Sequence, residues 1–196
     1  MTGDLNGALD DYLRSEMINP DSKWLIRRIA GCYRSLKQPA KALEFYLRCD
    51  KKSPDNTSIL INIGHCYLEL KNFDEALSYY FKADYLEPDS YKVWRAIAWC
   101  LFLTGKYGQA RTYYQKIVEN KPQTHDFLNA GHTEWTLQHI KKAIEYYTMA
   151  IQSESGDFNK FVDLFRQDIP ELIHAGVEPA EIPLMIDYLR YNQTSK

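Results

Sequence analysis

The stretch TSILINIGHCYLELKNFDEALSYYFKADYLEPDS, residues 57–90, decides the fold. Its first half sets Leu60, Ile63, Gly64 and Tyr67 at i, i+3, i+4 and i+7, one face of an α-helix. Its second half does the same with Phe73, Ala76, Leu77, Tyr80 and Ala83. Lys71 and Asn72 lie between them and make the turn, while Pro88 and Asp89 end the second helix and open the next element. The segment is predicted to be a helical hairpin. Small residues at Gly64, Ala76 and Ala83 let the helices approach, and Tyr67 and Tyr80 fill the space around them.

Working outward, the pattern returns at a fixed interval. Pro20, Pro54, Pro88 and Pro122 follow one another at 34 residues, as do Ala8, Ala42, Ala76 and Ala110, and Tyr12, Tyr46, Tyr80 and Tyr114. Such a period means stacked supersecondary units, each unable to bury its apolar face alone.

The remaining composition narrows the class. With 45% hydrophobic residues in 196, the chain reads as ordered and able to bury a substantial interior. A formal net charge of −2 argues against a nucleic-acid footprint over the whole protein. No apolar run approaches the roughly 20 residues that span a bilayer, so no membrane partner is expected. The start, MTGDLNGALDDY, has neither the basic nor the apolar region of a secretory leader. Cys32, Cys66 and Cys100 share one slot in three units. Equivalent helices pack about 8–10 Å apart, beyond the roughly 7 Å that a disulfide spans. The thiols are therefore expected to be free packing residues, which suits a cytoplasmic location. No close Cys/His set suggests a metal, and no cofactor motif occurs.

The unit resembles the tetratricopeptide repeat, whose pattern is W-x2-L-G-x2-Y, then A-x3-F, then P. The first full copy reads Ile26, Ile29, Ala30, Tyr33, Ala42, Tyr46, Pro54; the second reads Leu60, Ile63, Gly64, Tyr67, Ala76, Tyr80, Pro88. The third reads Trp94, Ile97, Ala98, Leu101, Ala110, Tyr114, Pro122. A degenerate fourth comes one residue early, with Phe127, Ala130, Gly131, Ala143 and Tyr147, and with Glu134 where an aromatic is expected. The resemblance implies an all-α, right-handed superhelical solenoid of antiparallel helix pairs with a C-terminal helical cap. Its expected parts are a solenoid over residues 1–156 and capping helices over 157–196. The solenoid divides into a half repeat at about 4–20 and repeats at about 23–56, 57–90, 91–123 and 124–156. The half repeat has only a second helix, so its apolar edge is open to self-association. In the cap, Asp157 is expected to open a helix carrying Phe158, Phe161, Val162 and Phe165. Pro170 breaks it, Asp168 with Glu171 reads as a capping box, and a last helix carries Ile182, Met185, Ile186 and Leu189.

In this family the face of each first helix that turns from its second helix lines a concave groove for peptides or partner helices. Carried to this chain, that groove collects Trp24, Arg27, Arg34, Asn62, His65, Lys92, Arg95, Trp99, Phe102 and His132, with Leu128 and Trp135 beside the last. Arg27, Arg34, Lys92 and Arg95 against Glu69 leave this face positive in a chain that is negative overall. The expected partner is an acidic protein or peptide segment with an apolar side chain. The plainer alternative is that these are ordinary solvated basic residues and half-buried aromatics. A carboxylate clamp of the kind that grips chaperone tails is matched by Arg27, Asn62 and Lys92. It departs at Gly31 and Ala96. Single-stranded RNA is the alternative ligand class, because aromatics with basic residues also stack bases. An architectural segment with a filled groove is the third. Scattered histidines and the lack of a nucleophile motif or paired acids point away from an enzyme.

Overall fold

Residues 4–194 are described by the structure, a computed structural model; residues 1–3 and 195–196, which fall in the expected end segments, lie outside it. Among the described residues there are twelve α-helices and no strand. They run α1 (Leu5–Ile18), α2 (Lys23–Ser35), α3 (Pro39–Lys52), α4 (Thr57–Glu69), α5 (Phe73–Leu86) and α6 (Tyr91–Leu103). Then come α7 (Tyr107–Val118), α8 (Thr124–Thr136), α9 (Ile140–Ser153), α10 (Phe158–Gln167), α11 (Ile169–His174) and α12 (Glu181–Thr194).

The turn inside each hairpin is built the same way. Lys37, Lys71, Gly105 and Gln138 take left-handed backbone, with φ of 58°, 62°, 73° and 62°. The next amide then reaches back five residues: Gln38 to Tyr33, Asn72 to Tyr67, Lys106 to Leu101 and His139 to Glu134, at 2.8–2.9 Å. This closure satisfies carbonyls that a helix end leaves open. It recurs even though three of the four left-handed positions carry a side chain.

Residues up to Ala96 form one compact unit and those from Ile97 onward a second. In the first, Leu9, Ile26, Ile29, Ala42, Tyr46 and Ile63 belong to one core. The α4–α5 crossing shows what the small residues are for: a Cβ on Gly64 would lie 2.4 Å from Cε1 of Tyr80. In the second unit, Gly131 meets Tyr147 at the same 2.4 Å. There Tyr147, Phe161 and Phe165 form a continuous ring cluster with Trp135. All four cysteines are free and buried.

At the C-terminal end Asp157 does cap α10, accepting from the Asn159 and Lys160 amides at 3.1 and 3.2 Å. The capping box expected at Asp168 and Glu171 does not form. Asp168 precedes α11 without a side-chain cap bond, and its carboxylate lies 3.4 Å from Nε2 of His132. The reciprocal bond occurs instead at α8, where the Gln123 amide donates to Asp126 at 2.7 Å.

Candidate binding face of the first unit

Helix α2 starts at Ser22, whose hydroxyl accepts from the Leu25 amide. Leu25, Ile26, Ile29 and Ala30 are buried. The opposite stripe therefore carries Trp24, Arg27, Arg28 and Gly31 to the surface. Trp24 is 58% exposed, the largest apolar surface on this face. Its ring is held rather than loose: Tyr12 meets it edge-on at 5.8 Å, and the Arg28 guanidinium lies 5.2 Å over it.

These residues border a solvent-open cleft of roughly 650 Å³, which runs past Gly31 to Tyr46 and Asn62. Its lining holds Arg27 and Arg28 and no acid. Among the described residues neither arginine is ion-paired. At the floor, the Tyr46 hydroxyl is the group nearest the Cβ position of Gly31, at 4.0 Å. One repeat later the residue in the Gly31 slot is His65, whose Nδ1 is hydrogen-bonded to the Tyr80 hydroxyl at 2.8 Å. Glycine at this slot removes that partner and leaves the Tyr46 hydroxyl facing the cleft. Burial raises the Tyr46 phenol above its ordinary range, so it stays protonated and able to donate.

Arg34 is not the open cation that its position suggests. Its Nη1 donates to Asn62 Oδ1 at 2.8 Å and its Nε faces Glu69 Oε1 at 3.4 Å. Asn62 in turn donates to the Ser58 carbonyl at 2.7 Å. Arg34 and Asn62 thus brace α2 against α4 and shape one wall of the cleft. His65 is likewise engaged by Tyr80. Burial, with the positive charges of Arg34 and Lys92 adding to it, lowers its pKa to about 4, so it is neutral at physiological pH. Lys92 is exposed at the start of α6 and Arg95 is half-buried one turn on.

In the second unit four expectations are corrected by burial, Leu128 among them at 1% exposed. Phe102 is 2% exposed, stacked on Trp99 at 5.3 Å and packed against Tyr107 at 5.4 Å. His132 is 0% exposed: it is bonded to the Tyr147 hydroxyl at 2.8 Å and covered by Phe165 of α10. Trp135, at 2%, lies under the same helix. His132 and Trp135 are core because α10 covers the face of α8 that a bare repeat would expose, whereas Phe102 is enclosed within its own repeat by Trp99 and Tyr107. Trp99 keeps partial exposure. The sequence pattern missed Arg28 and Tyr46. Tyr46 reads as core by spacing, and only glycine in place of a larger residue at 31 signals that its hydroxyl is uncovered.

Residues 9–83 match the family model described as anaphase-promoting complex, cyclosome, subunit 3, and residues 63–124 match the tetratricopeptide repeat model. No curated protein matches the sequence. Among solved structures, the chain is similar to that of MamA, with a TM-score of 0.71 and 16% identity over 78% of this chain and 90% of that one. TTC0263, a thermophilic TPR protein of Thermus thermophilus, superposes with a TM-score of 0.67 and 16% identity, over 86% and 91%. YrrB, described as a TPR protein with an unusual peptide-binding site, gives 0.64 and 19% over 87% and 82%. At such identities the structures speak for the fold alone. The class defined by the helix pairs and these matches is a helical-repeat interaction scaffold, generally non-catalytic. The chain carries tetratricopeptide repeats, matched by that model over residues 63–124. Among the described residues no helix is long and apolar enough to cross a membrane, and no cluster of His, Cys, Asp or Glu is placed to hold a metal.

Proposed function

We propose that this protein is a non-catalytic interaction module that binds an acidic, partly apolar segment of a partner protein on the α2 face of its first unit. One observation carries the reading: an acid-free cleft joins two arginines without ion pairs, an exposed tryptophan and an uncovered tyrosine hydroxyl. Arg27 and Arg28 supply charge, Trp24 the apolar wall, and Tyr46 a donor at the floor. Lys92 and Arg95 add positive potential, and Arg34 with Asn62 holds the wall in place. Hot spots of this composition, arginine with aromatics, are the usual carriers of binding energy. Buried free thiols fit a reducing, cytoplasmic setting.

Exposed charge pairs contribute only about 0.2–1 kcal/mol each, so the expected affinity is micromolar and falls with salt. The test is titration of fluorescent decapeptides that share one phenylalanine and differ in carrying glutamates, glutamines or lysines. Glutamate peptides should bind best, and Arg27→Glu with Lys92→Glu should remove that preference. Trp24→Ala should weaken all binding. An unchanged preference in the folded double variant would refute the reading, as would tighter binding of a single-stranded RNA with a steeper salt dependence.

A further inference from the structure

The slot at Gly31 lacks the ring that its counterparts carry, which are His65, Trp99 and His132. In two of those repeats the histidine Nδ1 lies 2.8 Å from the tyrosine hydroxyl of the next helix. Tyr46 stands in the same place and is only 5% exposed, yet among the described residues its hydroxyl has no hydrogen-bond partner. It borders two open hollows that meet at Gly31, Ser35 and Tyr46: the cleft described above and a second of roughly 370 Å³. The second hollow is lined from α2, the turn after it, α3 and α4. A buried donor aimed into open space, in a slot where its counterparts are satisfied, calls for an acceptor from outside the chain.

The charges around the slot select the acceptor. Arg27, Gly31 and Ser35 follow at intervals of four and so share one stripe of α2. Arg27 is exposed at one end of it and Lys37, in left-handed backbone, is exposed just past the other. Neither is ion-paired among the described residues. Glu69 also lines the hollow, but it faces Arg34 Nε at 3.4 Å, so that pair is close to neutral. Two positive charges remain. Burial raises the Tyr46 phenol while Arg34 and Arg27 both pull it back, so each guanidinium acts on this hydroxyl. The carbonyls of Cys32, Tyr33 and Arg34, which end α2, are occupied by the amides of Leu36, Gln38 and Lys37, and so oppose an anion less. A phosphate monoester brings about 1.5–2 negative charges and three acceptor oxygens, enough for both cations and for the hydroxyls of Tyr46 and Ser35. A carboxylate brings one charge and leaves part of that set unused.

We infer that the Gly31 slot receives a phosphoserine of the partner segment, its phosphate accepting from Tyr46 and Ser35 between Arg27 and Lys37. The inference rests on the reading of this face as the site for an acidic segment. It adds that phosphorylation of the partner strengthens binding there.

The probe is a fluorescent decapeptide of glutamines with one phenylalanine and one phosphoserine, titrated into the full chain. Its controls carry serine, or two adjacent glutamates of similar total charge, in place of the phosphoserine. The phosphoserine peptide should bind about tenfold tighter than the serine peptide and clearly tighter than the diglutamate one. Tyr46→Phe should cut the phosphopeptide affinity roughly fivefold and leave the urea midpoint unchanged, because the lost hydroxyl had no partner inside the protein. Gly31→His should fill the slot as His65 does and remove the preference for phosphate. Lys37→Gln, an exposed change, should lower that preference even if Gly31→His misfolds. Equal binding of the phosphoserine and diglutamate peptides overturns the inference, as does a preference that survives in folded Gly31→His. Tighter binding of a single-stranded oligonucleotide than of the phosphopeptide overturns it too. If glutamate peptides bind through Arg27 while phosphate adds nothing, only the slot is refuted and the binding face stands; if neither binds, both fall.

Discussion

His65 Nδ1 and the Tyr80 hydroxyl are hydrogen-bonded at 2.8 Å, and the same pair recurs as His132 and Tyr147 at 2.8 Å. In both repeats the histidine follows the glycine over which the tyrosine ring lies. The glycine admits the ring and the histidine satisfies its hydroxyl, so a Gly-His dipeptide on one helix and a tyrosine on the next form one packing device. Its first-repeat counterpart is Ala30-Gly31 with Tyr46, where the second function is missing and the cleft opens.

The first prediction concerns acid. Folded His65 takes up a proton only near pH 4, against 6.5 for the free side chain. Its neutral state therefore stabilises the fold fully above pH 6.5. As pH falls from 6.5 toward 4 the unfolded chain protonates first, and stability drops by up to about 1.4 kcal/mol per pH unit from this group. Urea unfolding of His65→Gln should show a shallower pH slope across that window than the parent protein. Equal slopes would assign the acid sensitivity elsewhere.

Two glycines should respond oppositely to alanine. Gly64→Ala forces a methyl against the Tyr80 ring and should cost roughly 1–3 kcal/mol in denaturant unfolding. Gly31→Ala meets nothing closer than 4.0 Å. It should gain up to about 1 kcal/mol through helix propensity. A neutral Gly64→Ala would mean that the α4–α5 crossing can loosen without cost.

Lys71 sits at φ 62° where the third repeat has Gly105. A side chain in left-handed backbone costs about 1–2 kcal/mol, part of which glycine returns as lost chain entropy on folding. Lys71→Gly should raise the urea midpoint modestly, and Gly105→Lys should lower it. Movement of both in the same direction would contradict the turn geometry.

The thiols should be silent in the native state. Burial raises Cys66 to about 11 and moves Cys32 and Cys49 upward as well. Little thiolate exists at neutral pH. Iodoacetamide should leave the folded protein unmodified over hours and label four cysteines after denaturation without reductant. Recovery of two or fewer would mean that disulfides form.

His132→Ala removes a fully buried ring from among Tyr147, Phe165 and the Asp168 carboxylate. It should cost about 2–4 kcal/mol, yet leave the affinity of the first unit for glutamate decapeptides unchanged under native conditions. A selective loss of binding in a variant that remains folded would return His132 to the binding site.

Local spacing is enough to place the helix pairs. Apolar residues at period 3.6, a turn at Lys71-Asn72 and a proline after four of the five second helices are properties of short segments, and their repetition every 34 residues through the first three full repeats makes them unambiguous. The small crossing residues and free cysteines are legible for the same reason, since one slot is seen several times over. The face that would bind is less so. Trp24 and Arg27 are surface positions on any reading of α2, but Arg34 becomes a brace only when Asn62 and Glu69 arrive from the next helix.

Tertiary structure alone settles which aromatics remain available. Phe102, His132 and Trp135 have the spacing of an open face, and Tyr46 has the spacing of a core. Their burial depends on what packs over them: α10 lies on α8, Tyr107 of α7 closes on Phe102, and no side chain fills the slot at Gly31. A helical period reports which residues share a face. It carries no record of a non-repeating helix that returns to cover that face, because such docking is fixed by surface fit between segments distant in the chain.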